Sequence, residues 1–318
     1  MFRRHVIGVS IASALALIGL AAAAHADGLH EVRIGYQKGG IFPAVKQRHT
    51  LEDTFRPLGV EVKWVEFAFG PPLLEALNTG NVDFGITGDT PPIFAQAASA
   101  NLLYVAALRP TGLNEAIVVP QDSPIRMLGD LKGRRIGFGK GSSAHNTTIA
   151  ALEKAGLTYA DITPVYLAPA DAVAAFARGS IDAWTIWDPY LALAERDRGA
   201  RVLVFARDVH STSAFFLANR EFTGRHSETV ALLNRIFARE SEWAETHHSE
   251  VSRSLHEATG VELAAIERAV ERTTFQVVPV TDQVIASQQA IADRFYKLGL
   301  LPKPVVVRDI VWRWTPNS

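Results

Sequence analysis

An α/β fold of two similar lobes, facing each other across a ligand cleft, is what this sequence predicts. Three observations carry the prediction. Arg33-Ile34-Gly35-Tyr36-Gln37-Lys38-Gly39 recurs downstream as Arg135-Ile136-Gly137-Phe138-Gly139-Lys140-Gly141. Gly80-Asn81-Val82-Asp83-Phe84-Gly85-Ile86-Thr87-Gly88-Asp89 returns at nearly the same offset as Gly179-Ser180-Ile181-Asp182-Ala183-Trp184-Thr185-Ile186-Trp187-Asp188, with the glycine and both aspartates aligned. Two matches in one order mark a duplicated unit. Each copy also reads strand-helix-strand-helix-strand, which builds a mainly parallel sheet with helices on its faces.

The elements follow in order. Residues 1–26 read as a secretion signal: Arg3 and Arg4, an apolar run over 6–24, then Ala24-His25-Ala26 before Asp27. Removing that segment takes away two arginines and no acid, so the formal charge moves from −1 to −3. No later stretch is apolar enough to span a bilayer. The mature chain is therefore expected free in an extracytoplasmic space, most simply a bacterial periplasm. In the first copy, a strand leads into a helix over 42–55, a strand over 60–67 and a helix over 72–78. Residues 102–108 and 116–119 are short apolar strands around Arg109-Pro110-Thr111-Gly112, the first crossing between lobes. The second copy repeats the plan with a helix over 143–154, a strand over 162–167 and a helix over 169–178. A second crossing is expected at His210-Ser211-Thr212-Ser213, before the apolar strand at 214–218. Beyond Asn219, apolar residues recur at three and four, as in Val230, Leu233, Ile236 and Phe237. That spacing predicts helices over 228–247, 262–274 and 281–297, returning to cover the first lobe. The first lobe is thus residues 27–110 and 214–318, the second 111–213.

Composition narrows the function. The 318 residues include no cysteine, which removes disulfides, thiolate nucleophiles and lipid-modified cysteines together. A net charge of −1 argues against nucleic acid or an anionic membrane surface as partner. No G-x-S-x-G, H-E-x-x-H or Walker A pattern occurs. An enzyme is therefore the weaker rival of a binding protein, and no cofactor or metal is expected. His145 near Ser142 and Ser143 fits a helix start better than a Ser/His pair. His247, His248 and His256 read as solvated residues on a polar helix face rather than metal ligands.

Ligands of open α/β sheets bind beyond the carboxyl ends of the strands. The first lobe offers Gln37, Gly39, Phe69, Gly70, Thr87, Gly88 and Asp89 there; the second offers Ser142, Ser143, His145, Trp187 and Asp188. Small residues let backbone N–H groups face a ligand, and the hydroxyls of Thr87, Ser142 and Ser143 add neutral donors at helix starts. Such a site favours an anion. Some of these residues have a second reading. Ser142 and Ser143 fit helix caps, and Asp89 and Asp188 stand before prolines as N-caps do. Lys38, Lys140 and Arg109 serve equally as anion ligands or solvated charges. Trp184 and Trp187, three apart in an extended segment, face opposite ways; Trp187 is expected in the cleft and Trp184 in the core. Tyr36, Phe42, Phe69 and Trp187 are candidates for an apolar wall.

At these loops the chain resembles the periplasmic aliphatic-sulfonate-binding proteins of ABC importers. The likeness runs over residues 32–312 and is sharpest in RIGYQKG (33–39), LLEALNTGNVDFGITGDTPPIFAQA (73–97), DLKGRRIGFGKGSSAHN (130–146) and SIDAWTIWDPY (180–190). Taurine, nitrate and thiamine-precursor binders are similar but further away. The resemblance implies a type II periplasmic binding fold that closes on its ligand and delivers it to a membrane ABC permease, as a monomer. By position it implies Gln37, Thr87, Gly88, Ser142, Ser143 and Trp187 as sulfonate contacts. Phe69 is bulky where relatives often carry a small residue, which leaves the ligand's organic tail open. Taurine, nitrate or another small anion is the alternative ligand.

Overall fold

The computed structural model describes residues 28–109 and 111–315; the expected signal segment lies outside them. The duplicated strands are its frame. In the first copy β1 (Glu31–Tyr36) pairs in parallel with β2 (Glu61–Glu66) and β3 (Phe84–Gly88). The helices α1 (Phe42–Gln47), α2 (Thr50–Phe55), α3 (Gly70–Asn78) and α4 (Thr90–Ala97) connect and follow these strands. Next come β4 (Leu102–Leu108) and then β5 (Glu115–Val119), which already belongs to the second sheet. In the second copy β6 (Arg135–Phe138) pairs in parallel with β7 (Thr163–Tyr166) and β8 (Ala183–Trp187). Its helices are α5 (Ser143–Lys154), α6 (Pro169–Ala177) and α7 (Tyr190–Arg198), before β9 (Arg201–Phe205). The chain then returns to the first sheet through β10 (Ala214–Asn219). It ends in α8 (Arg220–Arg225), α9 (Ser227–Ala244), α10 (His248–Thr259), α11 (Leu263–Glu271), β11 (Val277–Val278) and α12 (Asp282–Lys297).

The sheet orders are β11-β4-β10-β3-β1-β2 and β7-β6-β8-β5-β9. Both sheets are mixed rather than mainly parallel, and the reason is an exchange. The strand that arrives from the other lobe, β10 in the first sheet and β5 in the second, pairs antiparallel with the last strand of the local copy. A strand entering by a crossing runs against its neighbour, because it starts at the end where that neighbour stops.

The repeated arginine and aspartate have one task in both lobes. Arg33 donates from its backbone N to Asp83 at 2.8 Å, from Nε at 3.0 Å and from Nη2 at 2.8 Å. Arg135 does the same to Asp182 at 2.8, 3.2 and 2.8 Å. Each forked contact ties the first strand of a copy to the turn before its third.

Two local expectations fail. The helix expected over 42–55 breaks at His49, whose φ is +55°, between α1 and α2. Arg48 at the corner binds Glu240 at 3.0 Å and stacks over Trp243, tertiary contacts that sequence periodicity does not show. The helix expected over 228–247 ends at Ala244, so His247 stands between α9 and α10 instead of sharing a face with His256. The C-terminal helices do cover the first lobe: Phe237 of α9 stacks on Phe42 at 4.0 Å and meets Phe84 and Phe216, all four fully buried. No described helix is long and apolar enough to cross a membrane.

Candidate functional site

The carboxyl ends of β1, β3, β4 and β8 and the amino ends of β5 and β10 face one cavity of about 160 Å³, below the roughly 300 Å³ at which drug-sized pockets begin. It brings together Gln37, Gly39, Gly70, Thr87, Gly88 and Asp89 from the first lobe with Ser142, Ser143, Trp187 and Asp188 from the second. The lobes touch around it. A Cβ on Gly88 would stand 2.9 Å from that of Ser143, and one on Gly39 would stand 2.9 Å from the carbonyl oxygen of Asp188. Glycine at these two places is what lets the walls meet.

Each hydroxyl has a defined partner. Thr87 Oγ1 donates to the Gly88 carbonyl at 3.0 Å, and Ser142 Oγ to the Gly139 carbonyl at 2.7 Å. Ser143 Oγ donates to Glu115 Oε2 at 2.5 Å. Neither serine side chain caps α5, although Ser142 holds the N-cap position with an extended backbone. The hydroxyls of both serines are thus engaged away from the α5 amides. Gln37 Nε2 donates to the Ile86 carbonyl at 3.0 Å, which fixes its amide against β3.

The two aspartates reach between lobes. Asp89 accepts from Thr90 Oγ1 at 2.7 Å and from Asn146 of α5 at 3.2 Å; burial pushes its carboxyl up to about 6 against these bonds. Asp188 accepts from the Ala192 backbone N at 3.0 Å, a true helix-start role. It also lies 3.8 Å from Arg272, which follows α11, and Arg272 pairs in turn with Glu195 of α7. Burial pushes Asp188 up to about 7, with Arg272 pulling the other way. Behind α5, Arg294 of α12 donates to Asn146 at 2.7 Å and pairs with Glu153 at 3.1 Å.

Phe69 and His145 do not line this cavity. His145 sits in an aromatic box of Phe94, Phe138 and Phe295, where burial pulls it down to about 3 and keeps it neutral. Its Nδ1 accepts from the Gly141 backbone N at 3.3 Å and its Nε2 meets Tyr159 at 3.0 Å, so it shapes the loop before α5. Phe69 is half-buried and packs toward Gly139. The expected apolar wall is also different. Phe42 is in the aromatic core, and Tyr36 is tied to Glu66 and Lys46. The apolar lining comes instead from Trp187, Ile86, Pro91, Leu108 and Ala214. Trp184 is buried against Phe176, on the other face from Trp187. Lys38 turns to the Thr259 carbonyl and Lys140 lies over Tyr166. Among the described residues no Lys, Arg or His side chain lines the cavity.

Sequence reasoning missed Asn114, Glu115, Thr212, Ser213, Thr273 and Thr274, which also line it. Thr212 and Ser213 lie in a hydroxyl-rich crossing that was itself a signal. Glu115 stands just before the apolar strand expected over 116–119, and Thr273 and Thr274 end the helix expected over 262–274.

Residues 55–251 match the family described as NMT1/THI5 like. The chain is 40% identical to an aliphatic sulfonates-binding protein of Escherichia coli (strain K12) over 98% of both chains. Its fold superposes on the alkanesulfonate-binding protein SsuA from Xanthomonas axonopodis pv. citri, bound to MOPS, with a TM-score of 0.84 and 42% identity over 90% of this chain and 99% of that one. The periplasmic aliphatic sulphonate binding protein SsuA from Escherichia coli gives 0.81 and 41%, covering 90% of this chain and 93% of that one. These relatives are binding proteins rather than enzymes. With this identity over nearly its whole length, the chain belongs to the NMT1/THI5-like family, among its aliphatic-sulfonate-binding proteins.

Proposed function

We propose that the protein captures short alkanesulfonates in this cleft, outside the cytoplasm, and hands them as a monomer to a membrane ABC permease. One observation carries the reading. Two helix starts from opposite lobes meet at a cavity whose lining holds neutral donors, an indole and the carboxyls of Asp89, Glu115 and Asp188, with no cationic side chain among the described lining residues. A sulfonate keeps a single charge at any ordinary pH, so amides and hydroxyls suffice to hold it. Carbon replaces one sulfate oxygen, so the site needs an apolar side, which Trp187, Ile86 and Leu108 supply. In this reading Thr87 and Ser143 turn their hydroxyls from internal acceptors to sulfonate oxygens. A hydrogen bond to a charged group contributes roughly 1.5–3 kcal/mol, so a few such bonds support micromolar capture, about −8 kcal/mol.

Calorimetry with ethanesulfonate, taurine, sulfate and nitrate tests the reading. Ethanesulfonate is expected to bind best, and Thr87→Ala or Ser143→Ala to weaken it roughly ten- to hundredfold. Tighter binding of sulfate or nitrate overturns the assignment. Export is checked by intact mass, which should place the mature N-terminus at Asp27.

A further inference from the structure

The second-lobe wall holds a buried acid that anion capture does not require. Glu115 is 6% exposed and borders the cavity. Its Oε2 accepts from Ser143 Oγ at 2.5 Å, and its Oε1 accepts from Thr147 Oγ1. Ser143 opens α5 and lines the cavity, so the carboxyl is bonded to the helix start at the cleft. The charged and titratable groups around it come from three other elements. Asp89, at the start of α4, and burial both push the Glu115 carboxyl up. His210, from the second crossing, meets Thr147 Oγ1 at 2.8 Å and pulls Glu115 the other way, while burial keeps the imidazole itself down. Arg294 of α12 acts on Asp89 and His210 from behind Asn146.

We propose that Glu115 is a specificity-determining residue, which admits singly charged anions to the cleft and turns away dianions such as sulfate. The proposal rests on the reading of the cleft as an anion site. An ionised carboxylate is acceptor-only and repels an entering anion, a dianion about twice as strongly as a monoanion. Glu115 stays in that ionised form, with hydroxyl groups donating to both of its oxygens. A monoanion then meets one such repulsion in a buried place and a dianion two.

The experiment is calorimetry on the full chain and on Glu115→Gln and Glu115→Asp, with ethanesulfonate, nitrate and sulfate. Tris and imidazole buffers avoid sulfonate, sulfate and carboxylate competitors. Glu115→Gln is expected to raise sulfate affinity relative to either monoanion on the order of tenfold or more, while Glu115→Asp keeps the wild-type ratio. Glu115→Ala, a second neutral side chain, is expected to raise the ratio in the same way. An unchanged sulfate-to-monoanion ratio in Glu115→Gln overturns the proposal. So does an unchanged ratio in Glu115→Ala, which decides the matter even if Glu115→Gln fails to fold. If nitrate binds but ethanesulfonate does not, the sulfonate reading falls alone, and the sulfate-to-nitrate ratio still judges Glu115.

Discussion

The two duplicated aspartates of each copy perform opposite tasks. Asp83 and Asp182 each take a forked contact from the arginine that opens their own copy, and so hold a single lobe together. Asp89 and Asp188, a few residues further along the same repeat, each find a partner from the other lobe, Asn146 and Arg272. The first kind is built on adjacent parallel strands and needs nothing outside its lobe. The second kind exists only when the walls of the cleft meet. One repeated sequence step thus supplies both the stability of each half and the closure of the whole.

The comparison breaks most visibly at Arg272. Its side chain is 6% exposed beside Asp188 at 5%, and Glu195 shares it. Arg272→Met leaves Asp188 buried without its cation, and removing one partner of a buried pair typically costs about 3–5 kcal/mol. Denaturant unfolding should show that loss, and a double variant with Asp188→Asn should recover part of it. Full stability in Arg272→Met would deny the contact any role.

Asp89 sharpens the comparison through pH. Its folded value of about 6 lies above the ordinary 3.8, so the folded state holds the proton more firmly than the unfolded one. The resulting stability is complete below about pH 4 and is lost as pH rises through about 6, worth up to about 3 kcal/mol. Asp188 acts in the same direction up to about pH 7. Asp89→Asn keeps an amide oxygen to accept from Asn146 but has no proton to lose, so it should flatten this part of the profile. An undiminished fall in melting temperature between pH 4 and 7 in the variant would assign the loss elsewhere.

Gly88 tests the closure directly. An added methyl 2.9 Å from Ser143 Cβ must push the lobes apart, and overpacking of this kind costs about 1–3 kcal/mol. Gly88→Ala should weaken ligand by roughly ten- to a hundredfold with little change in unfolding, and scattering should report a larger radius at saturation. The smallest effect is expected within a lobe. Arg135 is 46% exposed and Asp182 28%, so Arg135→Met should cost only about 0.2–1 kcal/mol and leave ligand affinity alone. A large affinity loss there would erase the distinction between the two kinds of aspartate.

Much of this was legible in the sequence, and the reason is local. The repeat of Arg33 and Asp83 as Arg135 and Asp182 announces two equivalent sheets, because identical short-range needs recur with identical residues. Glycine and hydroxyl residues at the strand ends announce helix starts gathered at one cavity, since backbone geometry there depends on a few neighbouring residues. The spacing of Trp184 and Trp187 separates a core face from an outward face by strand alternation alone. What the sequence does not hold is which residues from distant segments come to share one surface. Glu115 lies just outside the strand expected over 116–119, and its place at the cavity is decided only when β5 is seated beside β8 and α5 lies against it. Phe42 looks like a wall for a ligand until Phe237 of α9 stacks on it. His145 looks like a binding residue until Phe94 and Phe295 of the other lobe enclose it. Local pattern determines the elements and the places where loops converge; burial, partner and charge state are decided only when the two crossings bring the lobes together, because each depends on atoms far away in the chain.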